Sequence, residues 1–247
     1  MAGPSFLDTA SGRRIAFRRI EGAEPGVVFL HGFRSDMEGT KVLALEQWAR
    51  TRGQAFLRFD CSGHGQSAGA FTDGCIGDWA EDAAAAIEAL TDGPQVVVGS
   101  SMGGWIACLL ARRMPERFAA FVGIAAAPDF TEDGFWTGFT PQERQRLMEE
   151  GRVDVPSDYG DPCPITRRLI EDGRTHLVLR APLRFAVPVR LLQGTEDEDV
   201  SREVALKLLD HIEAEDLRLT LVKGADHRFS APAEIALIER TLEDVLG

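Results

Sequence analysis

Short apolar runs alternate with longer stretches whose apolar residues recur at helical spacing, and this alternation continues from residue 26 almost to the end of the chain. "GVVFLH" (26–31) has the content of a buried strand, "TKVLALEQWAR" (40–50) reads as a helix, and "AFLRFD" (55–60) returns to a strand. "IGDWAEDAAAAIEAL" then sets Ile76, Trp79, Ala80, Ala83, Ile87 and Leu90 at helical spacing, followed by the strand "QVVVGS" (95–100). Further strands are read at "FAAFVGIAAAP" (118–128), "VPVRLLQG" (187–194) and "LRLTLVKG" (217–224), with a helix at "REVALKLLDHI" and a closing helix from about Ala231. Strands apolar on both faces and joined by helices build parallel sheets with right-handed crossovers. The pattern predicts an α/β fold: a doubly wound, mostly parallel sheet with an antiparallel hairpin at its N-terminal edge.

One stretch breaks the rhythm. Between Pro128 and Val187 there is no β/α alternation, yet "TPQERQRLMEEG" and "ITRRLIEDG" read as short helices. A connection this long inside a compact domain is functional or structured in its own right. The expectation is one domain over residues 1–247 that carries a cap insertion at 129–186.

Composition then removes function classes. Hydrophobic residues make up 44% and charged residues 27%, values of a globular chain, and no apolar run approaches the roughly 18 residues of a membrane span. The start, "MAGPSFLDTASGRRIAF", lacks a basic stretch followed by an apolar one, so a cytoplasmic location is expected. Cys61, Cys75, Cys108 and Cys163 show neither C-x-x-C spacing nor the density of a disulfide scaffold, which predicts reduced thiols and no metal centre. A net charge of −12 disfavours a nucleic-acid partner, because such binding rests on Lys and Arg neutralising phosphates.

The chemistry is read at the strand-to-helix junction "VVVGSSMGGWIACLL" (96–110). Gly99-Ser100-Ser101-Met102-Gly103 fits G-x-S-x-G between a predicted strand and a predicted helix, the context of a nucleophile elbow. Ser101 is the candidate nucleophile. A serine at its free pKa needs a base and a group that orients the base. Of His176, His211 and His227, only His227 follows a predicted last strand, in "VKGADHRFS", and so opens on the elbow's sheet edge. For the acid, "LLQGTEDEDVS" offers Glu196, Asp197, Glu198 and Asp199; Asp197 is favoured, three residues after the turn at Gly194 with Val200 docking the loop back, and Asp129 after "GIAAAP" competes. An oxyanion hole takes one backbone N–H from Met102 and one from the loop "FLHGFRS", at Phe33, where Gly32 lets the backbone turn inward and His31 organises the loop. "DCSGHGQS" (60–67) lacks the Lys-Ser/Thr of a phosphate loop and is read as structural.

"FLHGF", "RFDCSGHGQS", "GSSMGGW", "RLLQGTEDEDV" and "GADHRF", in this order, resemble the α/β-hydrolase family. "GTKVLALEQWA" and "DGPQVVVGSSMGGW" narrow the resemblance to the small branch that includes the mitochondrial palmitoyl-protein thioesterase, also described as an acyl-glucuronide hydrolase. It covers nearly the whole chain, is weakest in the cap, and departs at Ser201, where proline commonly follows the acid loop, and in the absence of an organelle-targeting segment. The resemblance implies Ser101, Asp197 and His227 as a catalytic triad and Phe33 and Met102 as oxyanion donors, in agreement with the residue-level reading.

The expected function is therefore a cofactor-free serine hydrolase of carboxylic esters or thioesters, acting through an acyl-enzyme on a small-molecule acyl ester or thioester or on an acylated protein. Phe130, Phe135, Trp136 and Phe139 of the cap are the candidate acyl-pocket liners. A catalytically silent ligand-binding protein, a perhydrolase and a lipase on the same fold are the alternatives. A haloalkane dehalogenase is excluded by serine where that chemistry uses aspartate.

Overall fold

The computed structural model describes residues 3–156 and 161–247. Its centre is an eight-stranded sheet built from β1 (Ser5–Asp8), β2 (Arg14–Ile20), β3 (Ala23–Leu30), β4 (Gln54–Phe59), β5 (Gln95–Ser100), β6 (Phe118–Ile124), β10 (Val189–Gly194) and β12 (Leu217–Val222), in the order β1-β2-β4-β3-β5-β6-β10-β12. β1 pairs with β2 and β2 with β4 antiparallel, and every other neighbour in this sheet is parallel. The fold class expected from the alternation is the one observed, hairpin included.

Strand periodicity divides the core into two layers. Val28, Leu30, Leu57, Phe59, Val97 and Phe121 point to one face, where they pack with α2 (Ile76–Leu90) and α3 (Met102–Arg113). Their alternate neighbours Val27, Phe29, Phe56, Val96, Val98 and Val122 point to the other, against α1 (Thr40–Arg52) and α7 (Pro232–Leu246). α3 is buried on nearly all sides, from Met102 through Cys108 and again at Leu110 and Ala111, because it crosses the middle of the sheet. α6 (Arg202–His211) completes the helical cover.

Residues 129–186 hold more structure than their pattern announces. The two expected helices are α4 (Pro141–Glu150), started by a capping box between Thr140 and Glu143, and α5 (Arg167–Thr175), started by the Thr166 side chain. Between them β7 (Arg152–Val155) and β8 (Cys163–Thr166) pair antiparallel. Before α4 stands a π-helical turn, Phe130–Trp136, and β9 (Leu183–Arg184) pairs with β11 (Ile212–Glu213) where the chain rejoins the sheet.

Close packing of α3 on β3 is a testable constraint. A Cβ on Gly103 would stand 2.2 Å from the Leu30 carbonyl oxygen, whereas a Cβ on Gly138 meets nothing within 4 Å. Gly103→Ala is expected to cost about 1–3 kcal/mol, read as a drop of several degrees in Tm, and Gly138→Ala to leave the melting curve in place.

Candidate active site

β5 ends at Ser100 and α3 starts at Met102, so Ser101 alone makes the turn, with φ 53° and ψ −116°. Such a conformation costs a non-glycine residue about 1–3 kcal/mol and persists only where its surroundings impose it. Here the Ser101 N–H donates to the Ile124 carbonyl at 2.9 Å, and its own carbonyl accepts from Gly104 at 2.9 Å and Ala127 at 3.0 Å. The flanking glycines let strand and helix touch: a Cβ at Gly99 would lie 2.5 Å from the Gly103 carbonyl oxygen, and one at Gly104 2.5 Å from the Ala126 Cβ. The hydroxyl is lifted off the carboxyl edge of the sheet.

His227 comes from the loop between β12 and α7, and Asp197 from the loop after β10. These loops touch because Gly194 has no side chain; a Cβ there would stand 2.2 Å from the Ala225 carbonyl oxygen. His227 Nε2 lies 3.1 Å from Ser101 Oγ, and its Nδ1 lies 3.0 and 2.9 Å from the two carboxylate oxygens of Asp197. The Asp197 side chain is fully buried, yet Oδ1 accepts from the N–H groups of Asp199 at 3.0 Å and Val200 at 2.8 Å, and Oδ2 from Gln193 Nε2 at 2.9 Å. Burial raises its pKa, but the hydrogen bond and charge of His227, with the Val200 and Gln193 donors, outweigh burial and hold the carboxyl below its ordinary value. An ionised carboxylate only accepts, so the ring hydrogen belongs on Nδ1 and Nε2 is left to accept the Ser101 proton.

The loop after β3 lies against the elbow, a Cβ on Gly32 being 3.3 Å from that of Ser101. His31 braces this loop: Nδ1 contacts the Gly32 carbonyl at 2.8 Å while Nε2 accepts the Cys61 N–H at 3.0 Å. Burial pulls its pKa down, so the ring stays neutral. Phe33 packs on Phe71, Phe130 and Phe135 at ring distances of 5.0, 5.3 and 5.9 Å. Met102 opens α3, and its N–H is one of the first-turn donors that a helix leaves without an internal acceptor. The 60–67 stretch is a bracing turn in which Asp60 accepts the Met37 N–H at 2.6 Å and the Gln66 N–H at 2.8 Å.

A cavity of about 660 Å³ opens on Ser101 and His227. Its walls combine apolar and charged groups. Phe33, Phe130, Phe135 and Val155 supply apolar surface, while Arg34, Asp36, Lys41, Asp199 and Arg228 carry charge. Two of the expected aromatic liners do not belong to it. Trp136 is held between the guanidinium groups of Arg144 and Arg174, 5.2 and 4.3 Å from its ring, and Phe139 is buried behind Phe135 at 6.4 Å. The reason is the π-helical turn: with i→i+5 spacing, Phe130 and Phe135 come to one side at 5.6 Å from each other, and Trp136 is rotated away.

The remaining candidates are placed elsewhere. Asp129 is fully buried and accepts from the N–H groups of Val178 at 2.7 Å and Leu179 at 3.0 Å and from Arg180 Nη1 at 2.8 Å, an anchor for residues 178–180. His176 stands beside Asp172 at 3.4 Å, and His211 contacts the Val178 and Ala181 carbonyls at 3.1 and 2.9 Å. Among the described residues the one grouping of metal-ligand type is Asp197, Asp199 and His227, two members of which are hydrogen-bonded to each other. All four cysteines are buried and free, and burial pushes the thiol of Cys108 up to about 12. Lys41, Arg34 and Cys163 were not found from the pattern, although a lysine in the first turn of α1, where helices favour acids, is a visible anomaly.

Residues 27–236 match the alpha/beta hydrolase family. The chain belongs to this family. It is 35% identical over 247 residues to the mitochondrial palmitoyl-protein thioesterase ABHD10 of Bos taurus, covering 98% of this chain and 79% of that protein. The solved alpha/beta hydrolase domain-containing protein 10 from mouse superposes with a TM-score of 0.91 at 33% identity, covering 99% of this chain and 98% of that one. A protein of Agrobacterium vitis S4 superposes with a TM-score of 0.95 at 38% identity, again over 99% and 98% of the two chains. The enzyme class expected from the sequence, a hydrolase of ester or thioester bonds, agrees with these relatives. The cytoplasmic location does not: the curated relatives matched over nearly the full chain are named mitochondrial, and that expectation is withdrawn. It had rested on what the first residues lack, and a lack carries no address. Among the described residues no helix is long and apolar enough to cross a membrane.

The two buried carboxylates are expected to separate in one experiment. Asp197→Asn should lower kcat by about 10³- to 10⁴-fold, a loss far larger than the about 1–3 kcal/mol of stability that weakening its own acceptors costs. Asp129→Asn should leave kcat within a few-fold and lower stability by about 1–3 kcal/mol, since it weakens the acceptors of two buried backbone N–H groups and of the half-exposed Arg180. Steady-state kinetics beside thermal melts decide between them, and the reverse ranking rejects Asp197 as the acid.

Proposed function

We propose that this protein hydrolyses carboxylic esters and thioesters by two-step acyl transfer, with Ser101 as nucleophile, His227 as general base and Asp197 as the residue that orients the imidazole and stabilises it once protonated. The observation that carries the reading is the unbroken chain of hydrogen bonds from the buried Asp197 carboxylate through His227 to the Ser101 hydroxyl, opening into a half-apolar cavity. His227 Nε2 takes the hydroxyl proton as Oγ bonds to the acyl carbon. The carbonyl π pair moves onto oxygen, and the backbone N–H groups of Phe33 and Met102 receive the oxyanion. Collapse breaks the bond to the leaving oxygen or sulfur, which receives the proton from His227. Water, deprotonated by the same nitrogen, then attacks the acyl-enzyme and releases the acid and Ser101. No cofactor enters these steps.

The apolar lining residues Phe33, Phe130, Phe135 and Val155 suit the acyl chain, and residues 129–186 serve as the cap that carries three of these four. The charged residues of the lining suit a polar leaving group. Because the bovine relative is named a palmitoyl-protein thioesterase, an acyl thioester, small or protein-borne, is the preferred substrate class.

A fluorophosphonate probe is expected to add one adduct mass to the intact protein and to map to Ser101. Adduct persisting in Ser101→Ala places the activated hydroxyl elsewhere. A chain-length series tests the cap: at about 0.8 kcal/mol per buried CH₂, kcat/KM should rise about 3- to 4-fold per methylene until the apolar lining is covered. Phe135→Ala should flatten that rise while sparing acetyl esters. A wild-type profile that is flat or falls with length rejects an acyl pocket under the cap.

A further inference from the structure

α1 begins with a charge of the wrong sign. The amino end of a helix carries the positive end of the peptide dipoles and favours anions by about 0.3–1 kcal/mol. The first turn of α1 has no acidic residue, Gly39 caps it without a side-chain bond, and Lys41 stands one residue inside its start. Lys41 is also half-buried in the wall of the cavity, where an ammonium loses hydration. Helix formation does not call for a lysine here.

What Lys41 does make is a bond to the loop that carries His227. Its Nζ donates to the carbonyl of Arg228, the residue after His227. Ahead of His227 the loop is tied to the β10 loop: the Gly224 N–H donates to Thr195 Oγ1 at 3.0 Å and the Glu196 N–H to the Ala225 carbonyl at 3.0 Å. Beyond it, the Arg228 carbonyl is held by the loop's own Ser230 hydroxyl at 2.8 Å and, from a different element, by Lys41. The far end of α1 is tied to the far end of α7 by Arg52 and Glu243 at 2.8 Å, so α1 holds both the His227 loop and the helix that follows it. Carboxylates from three segments face the ammonium, Asp226 beside His227, Glu234 in the first turn of α7 and Asp197 after β10, with the Arg228 guanidinium opposing them. Burial prevails over these carboxylates and brings the Lys41 ammonium down to about 8.

We infer that Lys41 is a positioning residue of this enzyme: through the Arg228 carbonyl and the carboxylates around it, its ammonium holds the His227 loop where Nε2 reaches Ser101 Oγ. The inference rests on His227 being the base. A displaced base costs rate in the chemical step without weakening substrate binding, since the residues that hold the acyl group do not move. Losing the proton removes the attraction to Asp226, Glu234 and Asp197 and leaves only a weaker neutral donor.

The test compares wild type, Lys41→Met, Lys41→Arg, Lys41→Gln and His227→Ala on a neutral short-chain ester and on an ester with an anionic leaving group, from neutral to alkaline pH, beside thermal melts. Lys41→Met is expected to lower kcat about 10- to 100-fold on both esters with KM little changed, and Lys41→Arg to restore most of it. Wild-type kcat should fall as pH rises through about 8, the value to which burial brings Lys41, and Lys41→Arg, which stays charged, should lack that fall. Three results overturn the inference: wild-type kcat in Lys41→Met, a KM increase confined to the anionic ester, or a loss that tracks melting temperature and is not rescued by arginine. Should Lys41→Met not fold, Lys41→Gln decides, because a surviving fall near pH 8 in that variant places the titrating group elsewhere. A His227→Ala enzyme that keeps wild-type kcat rejects instead the assignment of the base, so the two failures are told apart.

Discussion

A steric exclusion at the end of β5 governs the site. Ser101 occupies a backbone conformation that serine avoids, and it does so because three neighbouring positions, Gly99, Gly103 and Gly104, present no Cβ to the backbone pressed against them. The same close approach brings the end of β3, and with it His31, Gly32 and Phe33, against the serine. The position of the hydroxyl and the position of the loop that faces it are therefore one packing solution. Gly194 repeats the device on the other side, joining the loops that carry Asp197 and His227. Each contact is paid for in backbone freedom, and each is what allows side chains from distant parts of the chain to meet.

This dependence on glycine explains how much was legible in the sequence. Parallel strands buried on both faces read as unbroken apolar runs, so β3, β4, β5, β6 and β10 stood out, and the helices between them followed from the spacing of their apolar residues. The residues Ser101, Asp197 and His227 were legible because each sits at a turn whose chemistry marks the carboxyl end of a strand. The region after Pro128 was legible only in part. α4 and α5 have amphipathic faces and showed; the β7–β8 pair is only four residues a side, and a π-helical turn has no signature in a reading based on 3.6-residue spacing. That missed turn is why Trp136 and Phe139 were expected in the cavity alongside Phe130 and Phe135. Lys41 was hidden for a different reason: its partners are a carbonyl and three carboxylates far from it in sequence.

Asp197 and Asp129 show how little the burial of a carboxylate says about its role. Both side chains are wholly out of water and both are ringed by donors. One faces an imidazole that can share its charge, and its pKa is held below the ordinary value. The other faces two backbone N–H groups and one guanidinium; these donors pull its pKa down, but burial outweighs them and leaves it raised. What differs is what stands opposite: Asp197 meets an imidazole, whereas Asp129 fastens residues 178–180.

The fastening at Asp129 has a wider consequence. The chain leaves the sheet region at Asp129 and returns at Val178, 49 residues later, into hydrogen bonds with that same side chain. Both feet of the excursion are clasped at one carboxylate, outside the sheet strands. The cost of closing such an excursion grows slowly with its length, by about 0.6 kcal/mol per doubling. Lineages descended from this architecture can thus lengthen, trim or replace the segment between the two feet as a cassette, and selection can reshape what enters the cavity without reopening the chemistry beneath it.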